Sequence, residues 1–118
     1  MTTTTHRDLG ERTQEFATKV RIWLRKLPQN VCSNEDSKQL ARSSGSIGAN
    51  YIEANEALGK KDFLMRIKIS RKEAKESRYW LNLIRMDARA DLAKAQENLI
   101  QEATELTNIF GAIVRKVE

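Results

Sequence analysis

Apolar side chains recur along this chain with the 3.6-residue period of an α-helix and nowhere with the alternation of a half-buried strand. Phe16, Val20, Trp23, Leu24 and Leu27 form one stripe, which predicts a first helix over 8–27. Pro28 ends it, because proline disfavours helical geometry just before it and has no N–H to donate. After the turn 28–33, Leu40, Ser44, Ile47, Tyr51, Ala54 and Leu58 are spaced 4-3-4-3-4, a heptad-like seam that predicts a second helix over 34–58 with Ser33 or Asn34 as N-cap. Gly59 is the expected helix stop, in the left-handed conformation glycine tolerates. Phe63, Ile67, Ser70, Ala74, Ser77, Leu81 and Ile84 carry the same rhythm through a third helix over 61–88. Leu92, Ala95, Leu99, Ala103, Leu106, Phe110, Ile113 and Val117 carry it through a fourth over 91–117.

Two places test this reading. The run from Ser43 to Gly48 would also suit a flexible linker, but the seam passes through it unbroken. Ala41, Gly45, Gly48, Ile52 and Asn55 form a second, mostly small row beside that seam. Interior glycines each cost a helix about 1 kcal/mol and are best tolerated where another backbone comes close. The join around 87–90 has neither Gly nor Pro. A single helix from 61 to 117 would have no use inside one bundle, so a turn belongs there. Short connections between helices of similar length predict an all-α, antiparallel up-down-up-down four-helix bundle of one domain, 8–118, with a disordered tail over 1–7.

Composition agrees. The 118 residues are 40% hydrophobic, 31% charged and only 6% aromatic, with one Pro, which fits a charge-rich helical chain better than a β-sandwich. The single cysteine, Cys32, cannot form an intramolecular disulfide, and the Thr-rich start lacks the apolar core of a signal peptide. With no apolar run long enough to span a bilayer, the expected setting is the reducing cytoplasm.

Charge changes the picture most. Residues 60–78 hold eight basic side chains against Asp62, Glu73 and Glu76, a net +5 that equals the charge of the whole chain. At 100° per residue, Lys61, Lys68, Lys72 and Lys75 fall opposite the core stripe and form one ridge. Such lysines are often only a solvated face; the functional alternative is contact with a phosphate backbone, without base readout. Arg71, Arg78 and Arg85 recur by sevens and flank the seam, as do Arg42 and Glu53 on the second helix, positions suited to ion pairs within or between subunits. Leu64, Met65, Ile69, Tyr79, Trp80 and Leu83 add apolar surface beyond what a monomer needs, which points to burial against another copy.

Catalytic chemistry is poorly provided for. The only histidine, His6, lies in the tail, so neither a di-iron site nor a Cys/His zinc site can be built, and no base is placed to activate Cys32 or a serine. The expectation is a non-enzyme with no cofactor, metal, membrane or small-molecule substrate.

The stretch Arg42-Ser-Ser-Gly-Ser-Ile-Gly-Ala-Asn-Tyr-Ile-Glu-Ala54, followed by Lys61-Asp-Phe63, Ser70-Arg-Lys-Glu-Ala-Lys-Glu-Ser77 and Tyr79-Trp-Leu81, resembles the bacterial four-helix-bundle proteins encoded by intervening sequences in 23S ribosomal RNA genes. More distantly it is similar to the accessory variability protein of diversity-generating retroelements. The resemblance departs at Glu53-Ala54, where many members carry Glu-Gly. It implies a ring-like homopentamer and a non-enzymatic role, with RNA or DNA bound on a basic surface or with a protein partner such as a reverse transcriptase. The nucleic-acid candidates are Lys61, Lys68, Lys72, Lys75, Arg71 and Arg78. The assembly and packing candidates are Arg42, Ser44, Gly45, Ile47, Gly48, Asn50, Glu53, Phe63, Ala74, Ser77, Trp80 and Leu81.

Overall fold

The computed structural model describes residues 8–84, 86 and 88–118, so the expected tail over 1–7 and the side chain of Arg85 lie outside the described residues. Four helices follow one another: α1 (Leu9–Leu24), α2 (Val31–Asn55), α3 (Lys60–Leu83) and α4 (Ala90–Val117). Side-chain contacts fix their direction. Thr13 lies against Gly48 and Arg21 reaches Ala41 and Ser44, so α1 and α2 run antiparallel. Ser43 meets Ser77 while Asn50 meets Arg66, and Arg78 meets Thr104 while Lys68 meets Glu118, which orders α2–α3 and α3–α4 in the same way. The result is the antiparallel four-helix bundle, with extents of 46 × 33 × 19 Å.

The core is the set of stripes that the spacing predicts, with one systematic shift. Phe16, Val20, Trp23, Leu40, Ile47, Ile67, Ala74, Leu81, Leu92, Leu99, Leu106 and Phe110 are all buried. In α4 the buried line also includes Gln96 and Val114, whereas Ala95 and Ile113 only pack at its edge. Steps of 3.6 residues from Ala103 pass through Leu99 and Leu92 one way and Leu106 and Phe110 the other, and meet position 96 before 95 and 114 before 113.

Serine in the seam is satisfied rather than idle. Ser43 and Ser77 share a hydrogen bond of 2.9 Å between α2 and α3, and Ser70 donates to the Ile47 carbonyl at 2.9 Å. Small side chains thus let the two longest-packed faces approach while leaving no hydroxyl unpaired.

Helix boundaries move for identifiable reasons. α1 ends at Leu24, three residues early, in a turn that still buries Leu27. α2 starts at Val31 because Asn30, not Ser33 or Asn34, is the cap. Its side chain accepts from Ser33 N at 2.9 Å, and Ser33 Oγ accepts from Asn30 N at 3.2 Å, a reciprocal capping box. α2 also stops early, at Asn55, with Glu56 N and Ala57 N turning back to Glu53 and Ala54 in tight three-residue steps. Leu58 is therefore fully exposed instead of closing the seam, and Gly59 sits at φ −152°, extended, as the N-cap of α3 rather than a left-handed stop of α2. The third helix ends at Leu83, not Ala88. Buried Ile84 turns extended, and the Gln96 side chain of α4 donates to the carbonyls of Leu81 and Ile84 at this end. Trp23 Nε1 donates to the Leu92 carbonyl at 3.0 Å and ties α1 to the same end.

The two interior glycines of α2 face α1 but differ in what stands opposite. A Cβ on Gly48 would lie 2.9 Å from Thr13 Oγ1, a short side chain already bonded to the Leu9 and Gly10 carbonyls. A Cβ on Gly45 would meet only the guanidinium end of Arg21 at 3.1 Å. Gly48→Ala is expected to lower stability by about 1 kcal/mol despite the better helix propensity. Gly45→Ala is expected to be neutral or up to about 1 kcal/mol stabilising; urea unfolding of both variants checks the contrast.

Candidate nucleic-acid interface

The outward face of α3 is built by the same geometry that builds its inward one. With Ile67, Ser70, Ala74, Ser77 and Leu81 fully buried, a 100° step per residue turns Lys61, Met65, Lys68, Lys72, Lys75, Tyr79 and Leu83 to the opposite side, and all seven are exposed. At 1.5 Å per residue the strip runs for about 33 Å. Lys68 Nζ lies 3.2 Å from a Glu118 carboxylate oxygen, and Lys72 Nζ lies 3.8 Å from Glu73 Oε2. Among the described residues Lys61 and Lys75 have no ion-pair partner.

The flanks of the ridge are occupied differently. Towards α2, Glu73 is buried to 5% exposure, with its carboxylate 3.2 Å from Arg42, which also reaches Glu76 at 3.1 Å. Arg66 donates to Asn50 Oδ1 at 3.1 Å on the same side. Towards α4, the half-buried Arg71 lays its stem beside Gly111, and Arg78 approaches Thr104 Oγ1 at 3.5 Å. Arg71 and Arg78 thus border the ridge instead of standing on it.

The assembly and packing candidates divide. Ser44, Ile47, Ala74, Ser77 and Leu81 are fully buried inside one protomer, and Gly45 and Gly48 lie under α1. Phe63 and Trp80 are half-buried against the core, Asn50 and Arg42 are engaged with α3, and Glu53 is exposed.

Tyr79 is the member of the ridge that the lysine pattern leaves out. Its ring is 57% exposed and meets Trp80 edge-on, with centroids 5.0 Å apart and planes at 74°. Trp80 itself is half-buried, and its indole Nε1 is buried without a hydrogen-bond partner among the described residues. The signal was present in the sequence: Tyr79 stands four and seven residues after Lys75 and Lys72, the spacing of one helix face.

A second surface feature lies on the other side of the bundle, where α1 and α4 share the thinnest interface. A groove of about 440 Å³ is lined by Phe16, Ile22, Trp23, Leu99, Lys19 and Lys26. Glu102, also in its lining, is gripped at 2.7 Å by Arg12, which reaches Glu105 at 2.8 Å as well. A hydrogen bond from Gln101 and then the Arg12 guanidinium hold the Glu105 carboxyl below its ordinary range, while the Glu102 contact holds Arg12 firmly protonated. Sequence spacing gave no hint of this clasp, because its partners stand about ninety residues apart.

No group of three or more His, Cys, Asp or Glu side chains among the described residues is placed to hold a metal ion, and Cys32 is exposed in the first turn of α2. No helix among them is long and apolar enough to cross a membrane.

Comparison with known proteins places this architecture. The family model described as 23S rRNA-intervening sequence protein matches residues 8–112, the whole bundle short of its last turns. A crystal structure of a protein with unknown function from the S23 ribosomal protein family of Bacteroides thetaiotaomicron VPI-5482 is 29% identical. It superposes with a TM-score of 0.75 over 91% of this chain and 98% of that one. No curated protein matches.

Proposed function

Because the chain belongs to the 23S rRNA-intervening sequence protein family, we propose that it acts without catalysis, by holding the phosphate backbone of a nucleic acid against the outer ridge of α3. One observation carries this reading. Lys68 and Lys72 stand four residues apart and Lys72 and Lys75 three, like-charge neighbours that cost an isolated helix a few tenths of a kcal/mol each. A merely solvated face would interleave acids there. The acids that α3 does carry in this region, Glu73 and Glu76, turn to Arg42 on α2, and Glu73 keeps only a 3.8 Å contact to Lys72, so the ridge retains a net positive charge. The contact is to backbone charge, and its strength falls with salt.

The same proposal includes assembly. Copies arranged as a ring-like homopentamer would repeat the ridge, and simultaneous engagement of several weak contacts would raise affinity well above that of one. Exposed Ile22, Val31 and Ile52 provide apolar surface away from the ridge for such contacts. The groove between α1 and α4 favours one alternative, a scaffold that docks a protein partner such as a reverse transcriptase in its Phe16–Trp23–Leu99 hollow.

Mass in solution, taken together with the 260/280 nm absorbance ratio of freshly purified protein, separates these. A pentamer with a raised ratio that falls after a high-salt wash is the expected result. A bare pentamer that binds no oligonucleotide at low salt favours the scaffold, and a bare monomer that binds none counts against both.

A further inference from the structure

The ridge offers more than charge. Tyr79 stands on it at 57% exposure, in line with Lys75 and Lys72, one and two turns back, while Met65 and Leu83 are 47% and 44% exposed at either end of the same strip. An exposed ring beside exposed lysines is unsuited to a purely apolar partner, because docking one would bury Lys75, which has no ion-pair partner among the described residues. It is equally ill-suited to duplex: the bases there are already stacked on one another, so the ring has no open face to meet. Asn82, exposed beside Tyr79, already donates its amide to the Arg78 carbonyl at 2.9 Å, and the lysines of the strip do not present the bidentate fork with which Arg, Asn or Gln reads base edges in a major groove.

We infer that the α3 ridge takes single-stranded nucleic acid, with an unpaired base stacked on Tyr79 and the successive phosphates to one side of it on Lys75 and Lys72. The inference rests on the proposed backbone-binding role of the ridge and adds the form of the ligand. Stacking is tolerant of base identity, since every base has a π-face, so binding is selective for strandedness rather than for sequence. Trp80 prepares the platform. Its edge-to-face contact, 5.0 Å between centroids, restricts the Tyr79 ring before any base arrives. The lysines stand about 6 and 10 Å along the axis from Tyr79, both towards the start of α3, within reach of successive phosphates of a strand that runs back along the ridge from the stacked base.

The test measures fluorescence anisotropy of the full chain with labelled oligo(dT) and oligo(U) of roughly 20 nucleotides, and with a blunt mixed-sequence duplex of similar length. The variants are Tyr79→Ala, Tyr79→Phe and the triple reversal of Lys68, Lys72 and Lys75 to Glu. Tyr79→Ala is expected to weaken single-strand binding roughly tenfold, to leave duplex binding within about twofold and to leave the salt slope unchanged. Tyr79→Phe keeps the ring and is expected to restore wild-type affinity; the exposed position lets thermal melting confirm that all forms fold.

Two results overturn the inference while sparing the ridge: Tyr79→Ala with unaltered single-strand affinity, or with equal loss on duplex and single strand, in each case with the lysine reversals still abolishing binding. Wild-type chain that binds neither form overturns the inference and the ridge reading together.

Discussion

Reversing Lys68, Lys72 and Lys75 to glutamate together is expected to cut affinity for a nucleic-acid strand at least a hundredfold at low salt. Three phosphate contacts are lost and three repulsions take their place. The substitution is also expected to leave the fold intact. Lys75 has no ion-pair partner among the described residues, and the Lys68–Glu118 and Lys72–Glu73 contacts involve lysines that are largely solvated, pairs of a kind worth at most about 1 kcal/mol. Glu73, the buried partner, keeps Arg42 at 3.2 Å. Electrophoretic shift or anisotropy reads the affinity, and circular dichroism melting confirms that the loss is not unfolding. An intact variant that still binds with wild-type strength would remove the ridge from the account.

The largest expected effect on stability lies at Phe110. Its side chain is fully buried in α4, and its ring lies 6.0 Å from that of Tyr51 on α2, spanning the bundle interior. Phe110→Ala removes that contact and leaves a cavity that helices on all sides can only partly fill, at a cost of about 3–5 kcal/mol. For a domain of this size the melting temperature is expected to fall by more than about 10 °C. Phe110 does not touch the ridge, so the fraction still folded at low temperature is expected to bind nucleic acid normally. The pair of predictions separates fold from function: one variant folds without binding, the other binds while it lasts.

Much of the fold was legible because it rests on spacing. A stripe such as Leu40–Ile47–Ala54 or Ile67–Ala74–Leu81 reports burial directly, and the structure buries each of those side chains. The ends of the helices were not legible in the same way. They depend on reciprocal side-chain caps, as at Asn30 and Ser33, or on a distant donor, as where Gln96 takes the last carbonyls of α3. A periodic pattern continues past such a point without any change in the residues. Gly59 illustrates the limit: its presence marks a boundary, but whether it closes one helix or opens the next is decided by where α2 unwinds.

The surface was legible in part. Wheel geometry places the lysines on one face, and the burial of the opposite face confirms that they point outward. Contacts between helices were beyond it. Arg12 with Glu102 and Glu105, Arg21 over Gly45, and Trp23 with the Leu92 carbonyl all join residues whose proximity exists only after folding. Arg42 shows what reading one helix at a time leaves open: beside the seam it suits an ion pair within or between subunits, and in the bundle its guanidinium holds Glu73 and Glu76 of its own chain.

The ridge is tested most directly by the salt dependence of single-strand affinity, measured on the wild-type chain and on the Lys68/Lys72/Lys75 triple reversal. Each phosphate neutralised contributes about 0.7 to the slope of log affinity against log salt. The prediction is a steep wild-type slope that becomes shallower by about two in the variant. Equal slopes, with affinity surviving in both, would contradict it and place the binding charge elsewhere on the bundle.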